Sequence, residues 1–210
     1  MTTFLLIRHA TCDPVGRAIA GRAPGVHLNA TGRSQADRLA ERLSSLRLEA
    51  LYSSPLERAL ETARPIARSQ GLSVETLEGL NEIEFGEWTG KSLEELDPLP
   101  TWRAFNGSRS TARIPGGENM AEVLSRAREE LDRLRQIHPG PARLVAAVSH
   151  GDVLRAILTH ALGMSLDYMQ RLEVDPASVS VLSWEEYGTR VIQTNVTEGW
   201  PAELPLRSSR

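Results

Sequence analysis

Two histidines each follow a short, unbroken apolar segment of the chain. His9 comes after residues 4–7 (FLLI) and Arg8, and His150 comes after residues 144–148 (LVAAV) and one serine. Apolar runs of this length predict strands that are buried on both faces, as in parallel sheets. Ligands of open α/β sheets bind beyond the carboxyl ends of the strands. The pattern therefore predicts that two parallel strands bring both histidines and Arg8 to one edge of a sheet.

Arg58 follows another predicted strand, residues 50–53, and is expected near the start of a helix. Ser54, Pro55 and Glu57 have the spacing of a capping box, with serine as the N-cap and proline at the first helical position. This spacing places Arg58 in the first helical turn, just past the carboxyl end of a strand.

Glu82 is the remaining polar residue of interest. It lies in residues 80–90, a segment that we interpret as a loop outside the core because it is acidic and regularly interrupted by glycine. Arginine donates paired hydrogen bonds to phosphate oxygens, a helix N-terminus such as the one after His150 adds N–H groups, and a neutral imidazole is a nucleophile. Two histidines, two arginines and a glutamate in such places indicate phosphoryl transfer.

The other segments alternate between strand and helix patterns. Helices are predicted at residues 31–44 with Thr31 as the cap, at 55–70 with a bend or interruption near Pro65, in short pieces within 92–106, and at 118–138. A weaker strand is predicted at 72–76 and a closing hairpin at 178–183 and 190–194, with a long loop at 12–29 and a linker at 107–118. We expect an α/β fold, a three-layer α/β/α sandwich with a mostly parallel central sheet. Residues 1–200 would form a single domain, followed by a loosely held tail at 201–210.

The composition argues against several classes of function. With 210 residues, 24% of them charged, and a formal net charge of −3, the chain lacks the broad basic surface of nucleic-acid-binding proteins. A single cysteine, Cys12, excludes internal disulfides. No signal-peptide pattern and no apolar run of the roughly 20 residues that span a bilayer is evident. We therefore expect a soluble, cytoplasmic protein without nucleic-acid or membrane partners.

The order of the motifs resembles the histidine phosphatase superfamily, in its phosphoglycerate mutase-like branch 1. The matching motifs are RH at 8–9, SSPLxRAxxTA at 53–63, LNExxxGxWxG at 80–90, PGGE at 115–118 and SHG at 149–151. Each motif is weak by itself, whereas all five in order are highly specific. The resemblance implies a phosphoglycerate mutase-like fold and a phosphomonoesterase that acts on a small phosphorylated substrate without a metal or another cofactor.

The resemblance also implies roles for the five polar residues. His9 corresponds to the nucleophile, which carries the phosphoryl group as phosphohistidine before water removes it. Arg8, Arg58 and His150 correspond to the clamp that holds the phosphate oxygens. Glu82 corresponds to the general acid that protonates the leaving oxygen and then activates water. The alternative for Glu82 is a purely structural ion pair with Arg58.

The segment after His9 departs from the family pattern. Ala10 stands where the family has glycine, and the usual loop asparagine is absent, so Thr11 or backbone N–H groups are expected to replace its phosphate contact. Other candidates for substrate binding are Gly21, Arg22, Gly151, Arg109 and Arg113. Solvated loop charge is the simpler interpretation of Arg22, Arg109 and Arg113, as is a surface or packing role for His27, His138 and His160 and a small loop residue for Cys12.

Three other functions are considered. A cysteine-dependent phosphatase needs five residues between its cysteine and arginine, and only four separate Cys12 from Arg17, which excludes it. A phosphoglycerate mutase usually has a longer insertion than the 68 positions from Glu82 to His150, so hydrolysis is favoured over transfer. A non-catalytic phosphate-binding or regulatory module is the third. Sugar phosphates, nucleotides, phosphorylated cofactor precursors and small phosphorylated acids all stay open as substrates, and so does a homodimer.

Overall fold

A six-stranded sheet lies at the centre of the computed structural model, which describes residues 1–140, 143–186 and 188–199. Its strands are β1 (Thr2–Arg8), β2 (Ala50–Ser53), β3 (Val74–Thr76), β4 (Leu144–Ser149), β5 (Val179–Trp184) and β6 (Thr189–Val196). Their order across the sheet is β3-β2-β4-β1-β5-β6. The first four strands in this order are parallel, whereas β5 and β6 form an antiparallel hairpin beside β1. The predicted mostly parallel sheet and its closing hairpin are confirmed.

Helices cover both faces of the sheet. They are α1 (Ala30–Leu43), α2 (Glu57–Gln70), α3 (Leu93–Leu96), α4 (Pro100–Gly107), α5 (Met120–Ile137) and α6 (Gly151–Ala161). Leu5 and Ile7 of β1 belong to the core beneath α1 and α2, while Phe4 and Leu6 belong to the core beneath α5 and α6. Because successive side chains of a strand point to opposite faces, the unbroken apolar run of β1 supplies both cores. The three-layer α/β/α architecture is confirmed.

The cap of α1 differs from the prediction. The side chain of Asn29, not Thr31, accepts the hydrogen bond from Gly32 N at 2.9 Å, and Thr31 lies inside the helix. Asn29 is held in place because its own N–H donates to Thr11 O at 3.2 Å. A Cβ at Gly32 would lie only 2.0 Å from Thr11 O, so a glycine is required where this loop crosses the helix.

The start of α2 also differs. The helix begins two residues later than predicted and has no side-chain cap, so the capping box is wrong. Ser54 Oγ lies instead 2.7 Å from His150 Nε2. Arg58 is still in the first turn. The helix continues through Pro65, so no interruption occurs there, and Gly71 ends it in the left-handed conformation with φ of +66°.

Residues 80–90 are not a loop outside the core. Leu80, Ile83, Phe85 and Trp88 are buried, and the Trp88 ring meets Trp102 edge to face with 5.2 Å between the ring centroids. The sequence prediction was wrong because it used the average polarity of the segment, in which the acidic residues outweigh the apolar ones. An average does not separate the two faces of the segment. The segment is therefore fixed to the core on one side and carries its carboxylates on the other.

Residues 107–118 are also packed and do not form a linker. Ile114 is fully buried and Arg109 is only 3% exposed. A Cβ at Gly117 would lie 2.2 Å from Glu84 O, which shows how closely this segment meets residues 80–90. The predicted tail at 201–210 lies outside the described residues. Within the described ranges, no helix has the length and apolar character needed to cross a membrane.

Candidate active site

The carboxyl edge of the sheet brings the two histidines together. β1 and β4 are neighbours, and Arg8 is in register with Ser149. His9 and His150 directly follow these two residues, and their ring centroids are 5.1 Å apart. Both side chains are buried. Adjacent parallel strands of matched register therefore suffice to place two imidazoles side by side.

The hydrogen bonds of His9 determine which of its nitrogens can react. Nδ1 lies 2.8 Å from Ala10 O, so Nδ1 carries the hydrogen and donates it. Nε2 is then unprotonated, and its lone pair accepts a long hydrogen bond from Arg58 Nε at 3.3 Å. Burial, followed by the charges of Arg58 and Arg8, lowers the pKa of His9 to about 3. The imidazole is therefore neutral and has one nitrogen available as a nucleophile.

Two guanidinium groups beside His9 retain unused hydrogen-bond donors. Arg8 Nη1 donates to Val174 O at 2.6 Å, and Arg58 Nη2 donates to Gly21 O at 2.8 Å. Arg8 Nε and Arg58 Nη1 are buried and have no partner among the described residues. A buried charged donor without an acceptor is costly. An anionic ligand with several oxygens would satisfy both nitrogens.

His150 is held by Ser54 and Arg58. Its Nε2 lies 2.7 Å from Ser54 Oγ, and its Nδ1 lies 3.3 Å from Arg58 Nη2 and 3.7 Å from Glu82 Oε2. Burial and the charge of Arg58 lower the pKa of His150 well below its ordinary value. His150 is also the N-cap of α6, so the backbone N–H groups of that helix start point to the same place.

Glu82 faces the histidines from the segment 80–90. Its Oε1 accepts a hydrogen bond from Ile83 N at 3.0 Å. Burial, and secondly the negative charge of Asp152, raise the pKa of Glu82 to about 7. A carboxyl group with such a pKa can both donate and accept a proton near neutral pH.

The backbone of Glu82 is fixed by a cluster of ion pairs. Arg22 Nε and Arg126 Nη2 donate to Glu82 O at 2.7 and 3.1 Å. Both arginines also bond the carboxylate of Glu118, at 2.9 Å in each case. Glu118 Oε2 in turn accepts from Glu84 N at 2.9 Å. The PGGE motif thus contributes a carboxylate that positions the segment carrying Glu82.

Four of the five predicted catalytic residues, Arg8, His9, Arg58 and Glu82, line a cavity of about 150 Å³ that opens to solvent, whereas His150 is not among its lining residues. It is lined by Arg8, His9, Cys12, Pro14, Val15, Gly16, Ala18, Ile19, Ala20, Gly21, Arg58, Glu82, Phe85, Gly151, Asp152 and Arg155. Beside these polar groups, the long loop and Phe85 supply most of the apolar lining. The cavity is small enough to restrict what can accompany a phosphate group.

The predicted substrate-binding residues separate into two groups. Gly21 and Gly151 line the cavity, but the other four do not. Thr11 lies against Gln35, which accepts a hydrogen bond from its N–H at 2.9 Å, and borders a different cavity. Arg22 serves the backbone of Glu82, as described above. Arg109 is buried and pairs with Asp152, whereas Arg113 is exposed and pairs with Glu122.

Asp152 and Arg155 are cavity residues that the sequence analysis missed. Arg155 lies four positions after Gly151 on α6, so both are on one helical face, and this spacing could have identified it. The departure at Ala10 is explained by packing. Its methyl group lies in the core beneath α1 and α2, and its N–H donates to Thr62 Oγ1 at 2.9 Å.

Comparison with known proteins identifies the family. A model of the histidine phosphatase superfamily (branch 1) matches residues 4–197. The chain belongs to this superfamily. The resemblance noted in its motifs is thereby confirmed.

Individual relatives of this histidine phosphatase carry different names. Phosphoserine phosphatase 1 of Hydrogenobacter thermophilus is 33% identical over 201 residues, covering 94% of this chain and 93% of the relative. A probable phosphoglycerate mutase of Yersinia enterocolitica is 34% identical over 190 residues, covering 89% and 86%. A mycobacterial glucosyl-3-phosphoglycerate phosphatase solved with VO3 has a TM-score of 0.85 at 28% identity, covering 93% of this chain and all 100% of that one.

Proposed function

We propose that the chain is a metal-independent phosphomonoesterase that hydrolyses a small phosphorylated metabolite through a phosphohistidine at His9. One observation supports this most strongly. The unprotonated Nε2 of a neutral His9 lies beside two buried guanidinium groups, and each of these has one nitrogen without a partner among the described residues. A phosphate ester carries close to two negative charges at neutral pH and offers three acceptor oxygens. It therefore balances the charge of both guanidinium groups and offers an acceptor oxygen to each unpaired nitrogen.

In the first step the phosphoryl group moves from the substrate to His9. Nε2 attacks phosphorus, the bond between phosphorus and the ester oxygen breaks, and the carboxyl group of Glu82 gives its proton to that oxygen. Arg8, Arg58 and the N–H groups at the start of α6 stabilise the charge on the oxygens in transit. Positioning and fixed positive charge are the main requirements of phosphoryl transfer.

In the second step water removes the phosphoryl group. Glu82, now a carboxylate, accepts a proton from water while the water oxygen attacks phosphorus and the bond between phosphorus and Nε2 breaks. Inorganic phosphate leaves, and Glu82 is again protonated. A pKa near 7 suits a group that must exchange a proton in both directions.

Mutase activity is a second candidate because one relative is named a probable phosphoglycerate mutase. A mutase returns the phosphoryl group to another hydroxyl, whereas a phosphatase gives it to water. The two therefore differ in product and not in the first step.

The test is a screen of phosphomonoesters with the full-length protein in the presence of a metal chelator. Released inorganic phosphate and isomerised ester are both quantified, and a folded His9→Asn variant is the control. We expect phosphate release without metal, which the variant lacks. Isomerised ester without phosphate would establish the mutase, and loss of all turnover on chelation, restored by a metal, would contradict the proposal.

A further inference from the structure

Arg155 is a third guanidinium group in the cavity, and the mechanism above does not use it. Its Nε donates to Leu172 O at 2.9 Å and fixes the side chain. Its Nη1 has only a long contact of 3.4 Å with Asp152 Oδ1, and no hydrogen bond joins its Nη2 to any described residue. The group is held in place while much of its donor capacity faces the cavity.

Asp152 does not neutralise Arg155 fully because it also serves Arg109. Arg109 Nη1 lies 3.3 Å from Asp152 Oδ2, and its guanidinium stacks over Phe105 at 4.6 Å from the ring centroid. Although burial alone would raise the pKa of Asp152, the charges of Arg109 and Arg155 lower it. One carboxylate is thus shared by two arginines. Arg109 acts on the cavity through Asp152 and is a positioning residue.

Arg155 is also close to Arg8. The point that a Cβ of Gly151 would occupy lies 3.3 Å from Arg155 Nη1 and 3.3 Å from Arg8 Cζ. Burial, and secondly the charge of Arg155, lower the pKa of Arg8. Arg155 Nη1 and Arg8 Cζ can be at most about 6.6 Å apart, and like charges that close repel each other unless an anion lies near both. The phosphoryl oxygens have Arg8 Nε and Arg58 Nη1 as donors, which leaves Arg155 for another negative group.

We propose that Arg155, positioned by Asp152 and Arg109, binds a carboxylate of the substrate next to the phosphoryl group. This inference rests on the proposed function, since it names the class of substrate for the same cavity. A carboxylate suits the site better than a second phosphate, because Asp152 contacts Arg155 in the same cavity and repels a dianion more than a monoanion. The cavity of about 150 Å³ further favours a short phosphorylated acid.

Matched substrates test this proposal directly. O-phosphoserine has a carboxylate that O-phosphoethanolamine lacks, and the two are otherwise the same. In the second pair, the carboxylate of 3-phosphoglycerate is replaced by a hydroxymethyl group in glycerol 3-phosphate. The variants are Arg155→Met, which removes the charge but keeps an unbranched side chain, and Arg155→Lys, which keeps the charge. Arg133→Met is the matched control, because Arg133 is exposed on α5 and, among the described residues, pairs with Glu130 alone.

We expect Arg155→Met to lower kcat/KM for the acid of each pair by roughly 10- to 100-fold, the range for loss of a hydrogen bond to a charged group, mainly through KM. The carboxylate-free partners should change by no more than about threefold, and Arg155→Lys should recover part of the loss. Equal losses within each pair would overturn the proposal, and so would a wild-type protein without preference for the acids.

Binding separates this inference from the proposed function. Calorimetry in a His9→Asn background measures affinity for both members of a pair without turnover. A preference for the acid that disappears when Arg155→Met is added supports the carboxylate site, even if the wild-type protein releases no phosphate. An affinity ratio that Arg155→Met leaves unchanged contradicts it, even if phosphatase activity is present.

Discussion

Buried histidines lie at both edges of the parallel sheet, but their surroundings differ. At the amino edge, His138 Nδ1 lies 2.8 Å from Glu49 Oε1 and its Nε2 lies 2.9 Å from Tyr52 OH. Its carbonyl oxygen accepts from Thr2 Oγ1 at 2.6 Å. Every polar atom of this side chain is thus partnered, in accordance with the packing role expected from the sequence.

At the carboxyl edge, the groups around the buried histidine do not use all of their hydrogen-bond donors. His9 Nε2 has only a long contact of 3.3 Å, from Arg58 Nε, and the neighbouring Arg8 and Arg58 each have a buried nitrogen without a partner among the described residues. Burial is therefore common to both edges and does not mark function. Unpaired buried donors beside one cavity do.

Among substitutions at the carboxyl edge, the largest loss of activity should come from replacing Glu82, the proposed proton donor. Glu82→Gln is expected to slow histidine phosphorylation by an alkyl phosphate by roughly 10²–10⁴-fold, because an alkoxide leaves poorly without a proton. An aryl phosphate with an acidic phenol should lose much less. Rapid-quench measurement of the first step isolates this effect from the later activation of water, and equal losses for both esters would show that Glu82 does not donate a proton.

The same experiment has a pH dependence of known sign. The first step needs Glu82 protonated, and its pKa is raised to about 7, so the rate with an alkyl phosphate should fall as the pH rises through about 7. His9 stays neutral throughout this range because its pKa is lowered to about 3. Glu82→Gln should abolish the fall. A profile that keeps its alkaline limb in this variant would assign the limb to another group.

Changing the shape of a donor without changing its charge should have the next largest effect. Arg58→Lys removes the planar fork that contacts both histidines and that we propose to bind the phosphate. We expect turnover to fall by about 10²–10³-fold while the melting temperature changes little. Steady-state kinetics and calorimetry of unfolding measure the two quantities. Near-normal turnover in the folded variant would make Arg58 structural.

A substitution at the amino edge should instead lower stability and leave activity nearly unchanged. His138→Leu leaves Tyr52 OH and Glu49 without their imidazole partner and should lower the free energy of unfolding by about 1–3 kcal/mol. Because the site lies at the other edge of the sheet, kcat/KM should stay within about twofold. Denaturant titration alongside the kinetic assay measures both, and a large loss of turnover in a fully folded variant would refute the distinction between the edges.

Local patterns predicted the strands and the placement of His9 beside His150. The apolar runs before His9 and His150 were sufficient to predict both strands, because a strand buried on both faces of a parallel sheet is recognisable from its own unbroken apolar sequence. The cap at Thr31 was wrong, because Asn29 is selected by contacts with a distant loop. Arg155 was missed for a related reason: its role depends on which groups surround it, and no local pattern records them.

The central claim is that His9 itself carries the phosphoryl group. Rapid mixing of the wild-type protein with a ³²P-labelled substrate, quenching in alkali and peptide mapping test this claim directly. The account predicts label on the peptide containing His9, labile in acid and stable in base, formed at least as fast as turnover and absent from His9→Asn. Label that survives acid would contradict the claim. So would a single turnover, with enzyme in excess over substrate, in which no protein becomes labelled.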